Sequence, residues 1–495
     1  MAKNIELIPV KKQVLHFTPD DSRVVTRFFT PGNLKRIENI FDRILLLSDK
    51  EANQILNETI KNFTNRHRNI KRIFKDNFDQ IIKETQFTND FSLDQKLLIG
   101  SYFTMEYSIE SAALFNPSIV LHPEQIGTKS DRLKVLLSFR AVGEGHISSI
   151  VFRRGIIKSN GNLAVQKNSA LVERVDRIPD PSYLKCDFTL KLKELGSFES
   201  VTKILDNLLD EFTFEELQES ISLFRKKKKL RHKKISRTCE EAIETLLWLA
   251  NANYEIKFSS ELDISARVIF PVSTNEIKGV EDARFVLFKN GNGAGKNVYY
   301  ATYTAYNGFT ALPQLIETVD FCHFKVSVLL GEGSKGKGMA IFPRKINGKY
   351  VTISRNDNEN LYIMFSNNIK HWENPILLKP PSFYWEFFQI GNCGSPIETE
   401  KGWLLLIHGV GPVRTYTISA ILLDIDDPTK VIGLLKDPFL IPDEKERNGY
   451  VPNVVYSCGA ILHDDLLILP YAMADSRSGI ASVNINDLFS KMIYY

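Results

Sequence analysis

Glu281, Asp282 and Arg284 stand almost side by side in the segment GVEDAR, at the head of the apolar run FVLF. A carboxylic acid next to a cation has two readings. It is a surface ion pair at a turn, or an acid at the mouth of a sheet whose proton affinity the cation tunes. Other strand-end segments carry the same kind of side chain. Ser138-Phe-Arg140 is followed by Glu144 and His146, Asn392 precedes a strand bearing His408, and Arg414 and Tyr416 come next. Tyr450 with Asn453, and Tyr471 with Asp475, complete the set. Aromatic faces with amide, carboxylate and guanidinium groups suit a sugar, offering stacking surfaces for the ring and polar partners for the hydroxyls. Each residue alone reads more simply as structural. Their recurrence at the ends of separate strands points to one shared pocket.

The elements that must position them are short strands. From about residue 110, β-branched and aromatic runs such as LKVLLSFRAV, NVYYATYTAY, GWLLLIHGV and TISAILLDI alternate with turn residues. So many short strands with little helix between them exceed a sandwich and fit a β-propeller. The chain reads as a helical N-terminal region over 1–105 and a β catalytic domain over 106–495. In the first, Leu45, Leu46, Ile55, Leu56 and Ile60 form the expected buried stripe. A helical insertion at about 197–250 interrupts the β pattern. There Thr213 with Glu216 and Thr238 with Glu241 look like capping boxes.

Composition bounds the function. Of 495 residues, 43% are hydrophobic and 25% charged, a soluble globular balance, and the net charge of +4 is too small to imply a nucleic-acid partner. The basic run Arg225–Lys234 lacks interleaved aromatics and reads as a solvated helix end. No apolar stretch nears the roughly 18 residues of a membrane span, and no secretory signal is visible. Cys186, Cys239, Cys322, Cys393 and Cys458 lie far apart with no CxxC pair. A cytoplasmic protein without disulfide or metal is expected. Gly331–Gly336 matches GxGxxG, but no helix pattern follows to hold a pyrophosphate. Gly295-Lys296 is followed by Asn297, which does not fit a P-loop. No cofactor is called for.

Several longer motifs, in order along the chain, resemble glycoside hydrolase family 130, the mannoside phosphorylases and β-1,2-mannosidases. They include FNPS near Asn116, LSFRA, GVEDAR, YTAYNG, AIFPRKINGKY, GSPIETEKGWLLLIHGV, GYVPNVVYSCGAI and PYAMAD, spanning some three quarters of the chain. The resemblance implies a five-bladed propeller and an inverting mechanism, with Asp282 as general acid passing its proton through a mannose hydroxyl. It places Arg140, Asn307, Arg355 and Asp475 at the sugar. It also implies that the N-terminal helices can mediate a homo-oligomer.

The nucleophile is the open question. By resemblance, Lys337, His408 and Tyr416 belong to a cluster that holds inorganic phosphate, but Leu312 falls where the phosphorylases carry an arginine. Losing one charged partner costs about 1.5–3 kcal/mol. On that ground the expected activity is hydrolysis of β-1,2-linked manno-oligosaccharides by water. Phosphorolysis to mannose 1-phosphate, with phosphate as co-substrate, is the alternative, and a non-catalytic sugar-binding propeller a third. An inverting hydrolase needs a base carboxylate about 6.5–9.5 Å from the acid. Glu386, in the aromatic setting YWEFF, is preferred over Glu144 and Glu446.

Overall fold

The computed structural model describes residues 8–85, 87, 89–125, 131–175, 177–180, 182–230, 235–289, 297–306 and 311–495. It is mainly β, with most of its helices gathered in two places and a short one at Ile485–Lys491. The first place comprises Leu34–Leu45, Asp49–Phe63, Ile70–Thr85 and Leu93–Tyr102. Ser48 with Glu51 and Ser92 with Gln95 form reciprocal caps that satisfy free amides at two of these starts. Phe41, Ile44, Ile81, Leu98 and Phe103 are the core of this packet. Leu46 is not in the stripe assigned to it: it follows the first helix and is 84% exposed.

The N-terminal region is not helical throughout. Lys11–Phe17 and Asp20–Phe28 are strands. Their alternating KKQVLHF and β-branched VVT favour a pleated, half-buried surface over a helix. Lys11–Phe17 pairs antiparallel with Arg477–Asn484, so the start of the chain adds a strand to the last sheet. Asp20–Phe28 pairs with Thr104–Glu110. A buried ion network fastens this layer. Glu110 pairs with both Arg23 and Arg153, and Arg23 also donates to Ser265 O at 2.6 Å.

The second helical packet is Lys185–Glu194, Phe198–Leu205, Phe214–Leu230 and Arg237–Asn251. The Thr213–Glu216 capping box is formed. At the other site the cap is Ser236, whose hydroxyl accepts from Cys239 N at 3.2 Å, so the helix begins ahead of Thr238. Arg225 pairs with Glu240 at 2.7 Å, and residues 231–234 of the basic run lie outside the described residues.

The strands fall into antiparallel groups. One holds Ala113–Leu121, Leu133–Val142 and Ser148–Ile157, and a second Gly279–Phe288, Val298–Tyr306, Ala311–Thr318 and His323–Val328. These two are joined through Gly279, which pairs in parallel with Ser148. A third holds Lys337–Ile341, Tyr350–Arg355, Leu361–Ser366 and Ile376–Lys379. A fourth holds Gln389–Asn392, Gly402–Val410, Tyr416–Leu423 and Val431–Leu435, and a fifth Val455–Tyr456, Leu466–Met473 and Arg477–Asn484. The GxGxxG segment runs into the strand Lys337–Ile341, not a helix. Apolar side chains between neighbouring groups make the core. Phe342, Ile353 and Ile363 meet Trp403, Leu405 and Ile407, for example.

Candidate active site

Three strands are interrupted at their first turn of pairing, and each interruption aims a side chain or a backbone carbonyl at one spot. In Gly279–Phe288 the register shifts between Glu281 and Arg284, and Asp282 there has φ +56°. In Ala113–Leu121 it shifts between Phe115 and Ser118, around Asn116 at φ +48°. In Lys337–Ile341 it shifts between Lys337 and Ala340, around Gly338 at φ +81°. A bulge bends its strand and turns one residue out of the alternation. Asparagine and aspartate tolerate the left-handed region better than most residues. Held there, each still costs on the order of 1–3 kcal/mol, which the surroundings must offset.

The bulges bring a charge network together. Asn116 Nδ2 donates to Asp282 Oδ1 at 2.7 Å, and Arg140 Nη1 lies 3.5 Å from the same oxygen. Arg140 Nη2 donates to Glu281 Oε1 at 2.8 Å, while Lys337 Nζ donates to Glu281 Oε2 at 2.7 Å. Arg284 bonds the backbone oxygen of Asp282 at 2.9 Å, Tyr456 Oη at 2.5 Å and Asn392 Oδ1 at 3.1 Å. Asn392 in turn donates to Gly338 O at 2.5 Å. Asp282, Arg284, Lys337, Arg355, His408 and Tyr456 line a cavity of about 40 Å³. Larger cavities exist, one of about 230 Å³ beside Asp187 and Lys325 and one of about 330 Å³ beside Arg68 and Arg72, but neither is lined by Asp282 or its bonded partners. The perturbed charges around Asp282 make the small one the candidate site.

Burial alone would push the Asp282 carboxyl up, but Arg140, Arg284, the Asn116 amide and Lys337 outweigh it and hold it below its ordinary value. Asp475 goes the other way. Burial and the charge of Asp282 raise it to about 6, against the pull of Arg140 and Arg414. His408 is buried, and burial with the charges of Arg355 and Arg284 keeps its imidazole neutral, far below the usual value. Its Nδ1 faces Asn392 O at 3.2 Å, which assigns the proton to Nδ1 and leaves Nε2 as an acceptor. Arg355 Nε, Arg140 Nε and Asn116 Oδ1 are buried without a hydrogen-bond partner among the described residues. Gly391 is needed beside His408, since a Cβ there would stand 2.5 Å from His408 Cε1.

Most of the residues singled out from sequence are gathered here. Tyr416 stacks on His408 at 5.7 Å, and its backbone N–H donates to Asn453 O. Asn453 spends its own side chain on Arg447. Glu144 and His146 stand exposed on the tip of the hairpin after Arg140, where His146 stacks on Tyr450 at 5.4 Å. Asn307 lies outside the described residues.

Two calls need correction. Glu386 is fully buried away from the cavity, where it pairs with Lys379 and accepts the amides of Ser382 at 2.7 Å and Phe383 at 3.1 Å. The aromatic setting that recommended it is the packing of a turn, where its Oε1 is held by a cation and two amides and its Oε2 is buried without a hydrogen-bond partner among the described residues. Glu446, the other buried candidate, is committed to Lys12 and Tyr471. Leu312 does not occupy a place in the cavity. It packs in the core with Tyr303, Ala305 and Ile316, so its lack of charge says little about the anion site. Glu281, Arg284 and Asn392, noted in sequence at strand ends, bond to Asp282 or to its partners; Asn116 and Tyr456 stand in FNPS and NVVYSC without being singled out as site residues.

Among the described residues, no group of three or more His, Cys, Asp and Glu side chains could hold a metal ion. No described helix is long and apolar enough to cross a membrane.

A family model described as β-1,4-mannooligosaccharide phosphorylase matches residues 237–493, just over half of the chain. A 1,2-β-oligomannan phosphorylase of Thermoanaerobacter sp. (strain X514) is 34% identical over 231 residues, 44% of this chain and 74% of that protein. A β-1,2-mannobiose phosphorylase of the same organism is 38% identical over 222 residues, 43% of this chain and 70% of its own length. Among solved structures, the β-1,2-mannobiose phosphorylase of Listeria innocua in complex with β-1,2-mannobiose aligns over 78% of this chain and 92% of that one. Its TM-score is 0.44 at 20% identity.

Proposed function

We propose that this chain, which belongs to glycoside hydrolase family 130, is a β-mannoside phosphorylase acting on β-1,2-linked manno-oligosaccharides. The observation that carries the reading is the composition of the cavity. Opposite Asp282 it offers Lys337, Arg355 and the neutral His408, and Asp282 is the one carboxylate lining it among the described residues. An inverting hydrolase wants a second carboxylate there to activate water. A phosphorylase wants cations and donors for a dianion. The relatives named above are phosphorylases, which agrees with the second demand.

In this reading phosphate sits against Lys337 and Arg355, with the hydroxyl of monohydrogen phosphate donating a hydrogen bond to His408 Nε2. A dianion so placed offsets the cations that hold Asp282 low. Its carboxyl then regains a proton and becomes able to act as acid. A phosphate oxygen attacks the anomeric carbon from the face opposite the leaving group, and the glycosidic C–O bond breaks. The Asp282 proton passes, through a mannose hydroxyl, to the departing oxygen, and the proton of the phosphate restores Asp282. Products are mannose 1-phosphate and the shortened oligosaccharide. Arg140, Asp475 and Asn307 are assigned to the sugar, and Tyr416 positions His408. Glu144, His146 and Asn453 are assigned to the rim.

The five antiparallel groups are taken as five blades around this cavity, with Lys11–Phe17 closing the last. What supports that arrangement is that Asn116, Gly338 and Asn392, each from the leading strand of a different group, converge on the Asp282 bulge. Exposed Leu34 and Leu46 on the N-terminal helices give self-association a surface.

One observation favours hydrolysis as a second reading: Asp475 is close enough to feel Asp282 and could serve as base. Incubation with β-1,2-mannobiose and mannotriose, with and without inorganic phosphate, separates the two. Mannose 1-phosphate formed only with phosphate is the expected result. Free mannose formed at the same rate without phosphate would sink the proposal.

A further inference from the structure

A second concentration of positive charge lies far along the chain from the catalytic motifs. Between the strand Asp20–Phe28, the start of the helix Ile70–Thr85 and residues 172–175 is a cavity of about 330 Å³, lined by Arg27, Arg68, Arg72 and Arg174. Arg27 and Arg174 also line a cavity of about 510 Å³, which adds Arg177. Among the described residues, the carboxylates lining these cavities are Asp76 and Glu173, and Asp76 lies 3.6 Å from Arg72. Among the described residues, Arg27 and Arg68 form no ion pair with a carboxylate.

The groove is built, not merely lined. The Arg27 guanidinium lies 5.1 Å from the centroid of Tyr107 and 5.6 Å from that of Phe270, and Arg174 lies 5.8 Å from Phe270. Arg174 Nε donates to Thr26 O at 2.9 Å. Ring faces and a carbonyl thus fix two guanidinium planes. The amino-terminal end of Ile70–Thr85 adds its positive field from the same wall. Arg27 and Arg68, with no carboxylate paired to them among the described residues, leave guanidinium N–H groups that a small dianion would satisfy. A phosphate group, with oxygens that match the planar guanidinium fork, fits that demand better than a point charge does.

We propose that this groove is a second anion site, which binds the phosphate group of a phosphate monoester or of free phosphate. None of the five arginines lines the cavity at Asp282, so the site is distinct from it. It also has a physical link to it. Tyr107, under Arg27, donates its hydroxyl to Glu144 O at 2.9 Å and Ile147 O at 3.1 Å, and these bound the hairpin that carries His146. An anion drawing Arg27 away from Tyr107 would act on that rim.

The test is calorimetric titration of the full chain with inorganic phosphate and, separately, with mannose 1-phosphate. The wild type is compared with an Arg68→Gln/Arg72→Gln variant, whose changes fall on exposed positions of the helical packet. Wild type should show one binding event beyond the catalytic one, weakened at least about tenfold in the variant, with turnover at saturating substrate retained. Equal affinity for the two probes would identify the bare anion as ligand, and tighter binding of the ester would identify a sugar phosphate. If the catalytic site binds no phosphate, a single event that disappears in the variant still supports the groove. Titrations indistinguishable between wild type and variant, or no binding outside the catalytic cavity, would overturn it.

Discussion

Two clusters of carboxylate and guanidinium groups hold this molecule together at different depths, and they differ in what is left over. Around Glu110, Arg23 and Arg153 are 0–3% exposed, each has a carboxylate oxygen, and their other N–H groups reach Ser265 O, Ser169 O and Phe152 O. Both guanidinium groups thus find their carboxylate inside the protein. Around Asp282, Arg284, Lys337 and Arg355 face a cavity, and Arg355 Nε and the Nε of neighbouring Arg140 are buried without hydrogen-bond partners among the described residues. Both clusters pay desolvation. The first recovers it within the protein, and the second leaves part of the recovery to a ligand. Buried charge marks a site only when the protein has not finished satisfying it.

The sharpest way to break this comparison is to neutralise one acid in each cluster. Asp282→Asn keeps a side chain that tolerates φ +56° and should leave a folded protein. Turnover should fall about 10²–10⁴-fold, the range of a lost general acid, as read by mannose 1-phosphate release. Glu110→Gln should do the reverse. It leaves two buried cations without their counter-charge and should cost about 3–5 kcal/mol in denaturant unfolding, with kcat of the folded protein unchanged. A Glu110 variant that folds normally but turns over slowly would show that the two clusters are not separate.

A smaller effect sharpens the assignment within the site. Arg355→Met removes a charged donor from the cavity beside His408 and should cost the anion about 1.5–3 kcal/mol. That is roughly a 10- to 150-fold rise in KM for phosphate, with a lesser change in KM for mannobiose. A rise confined to the sugar would move Arg355 to the mannose side.

The sequence made one cluster visible and hid the other for a physical reason. GVEDAR could be read because its polar residues interrupt an apolar strand, and that interruption is the bulge that turns Asp282 to φ +56°. Arg23 and Glu110 carry no such sign, since they meet only through pairing across 87 residues of sequence. The same limit explains Glu386 and Leu312. An aromatic neighbourhood is equally the mark of a pocket and of a packed turn. A strand residue faces core or cavity according to a register that no local pattern reveals. The strand Lys11–Phe17 was lost for a related reason, because its partner Arg477–Asn484 lies at the other end of the chain.

The subtlest contrast lies inside the active cluster, between its two aspartates. Asp475 is raised to about 6 by burial and by Asp282, so the folded chain holds that proton more tightly than the unfolded chain does, whose carboxyl titrates near 3.9. Below both values Asp475 is protonated in either state and costs nothing. As pH rises through about 6 the folded state must ionise it, and stability is lost. Asp475→Asn should therefore leave stability unchanged near pH 4 and raise it near pH 7. The shift caps the gain at about 3 kcal/mol, and solvent at this half-buried position reduces it to roughly 1–2 kcal/mol. Because the charge of Asp282 is a named cause of the shift, the gain should shrink when Asp475→Asn is made on an Asp282→Asn background. Thermal unfolding of both single variants and the double variant at the two pH values measures this coupling directly. An equal gain on both backgrounds would mean that burial alone raises Asp475. The two carboxyls would then not act as a pair, and Asp475 would lose its claim to be the base of a hydrolytic reaction.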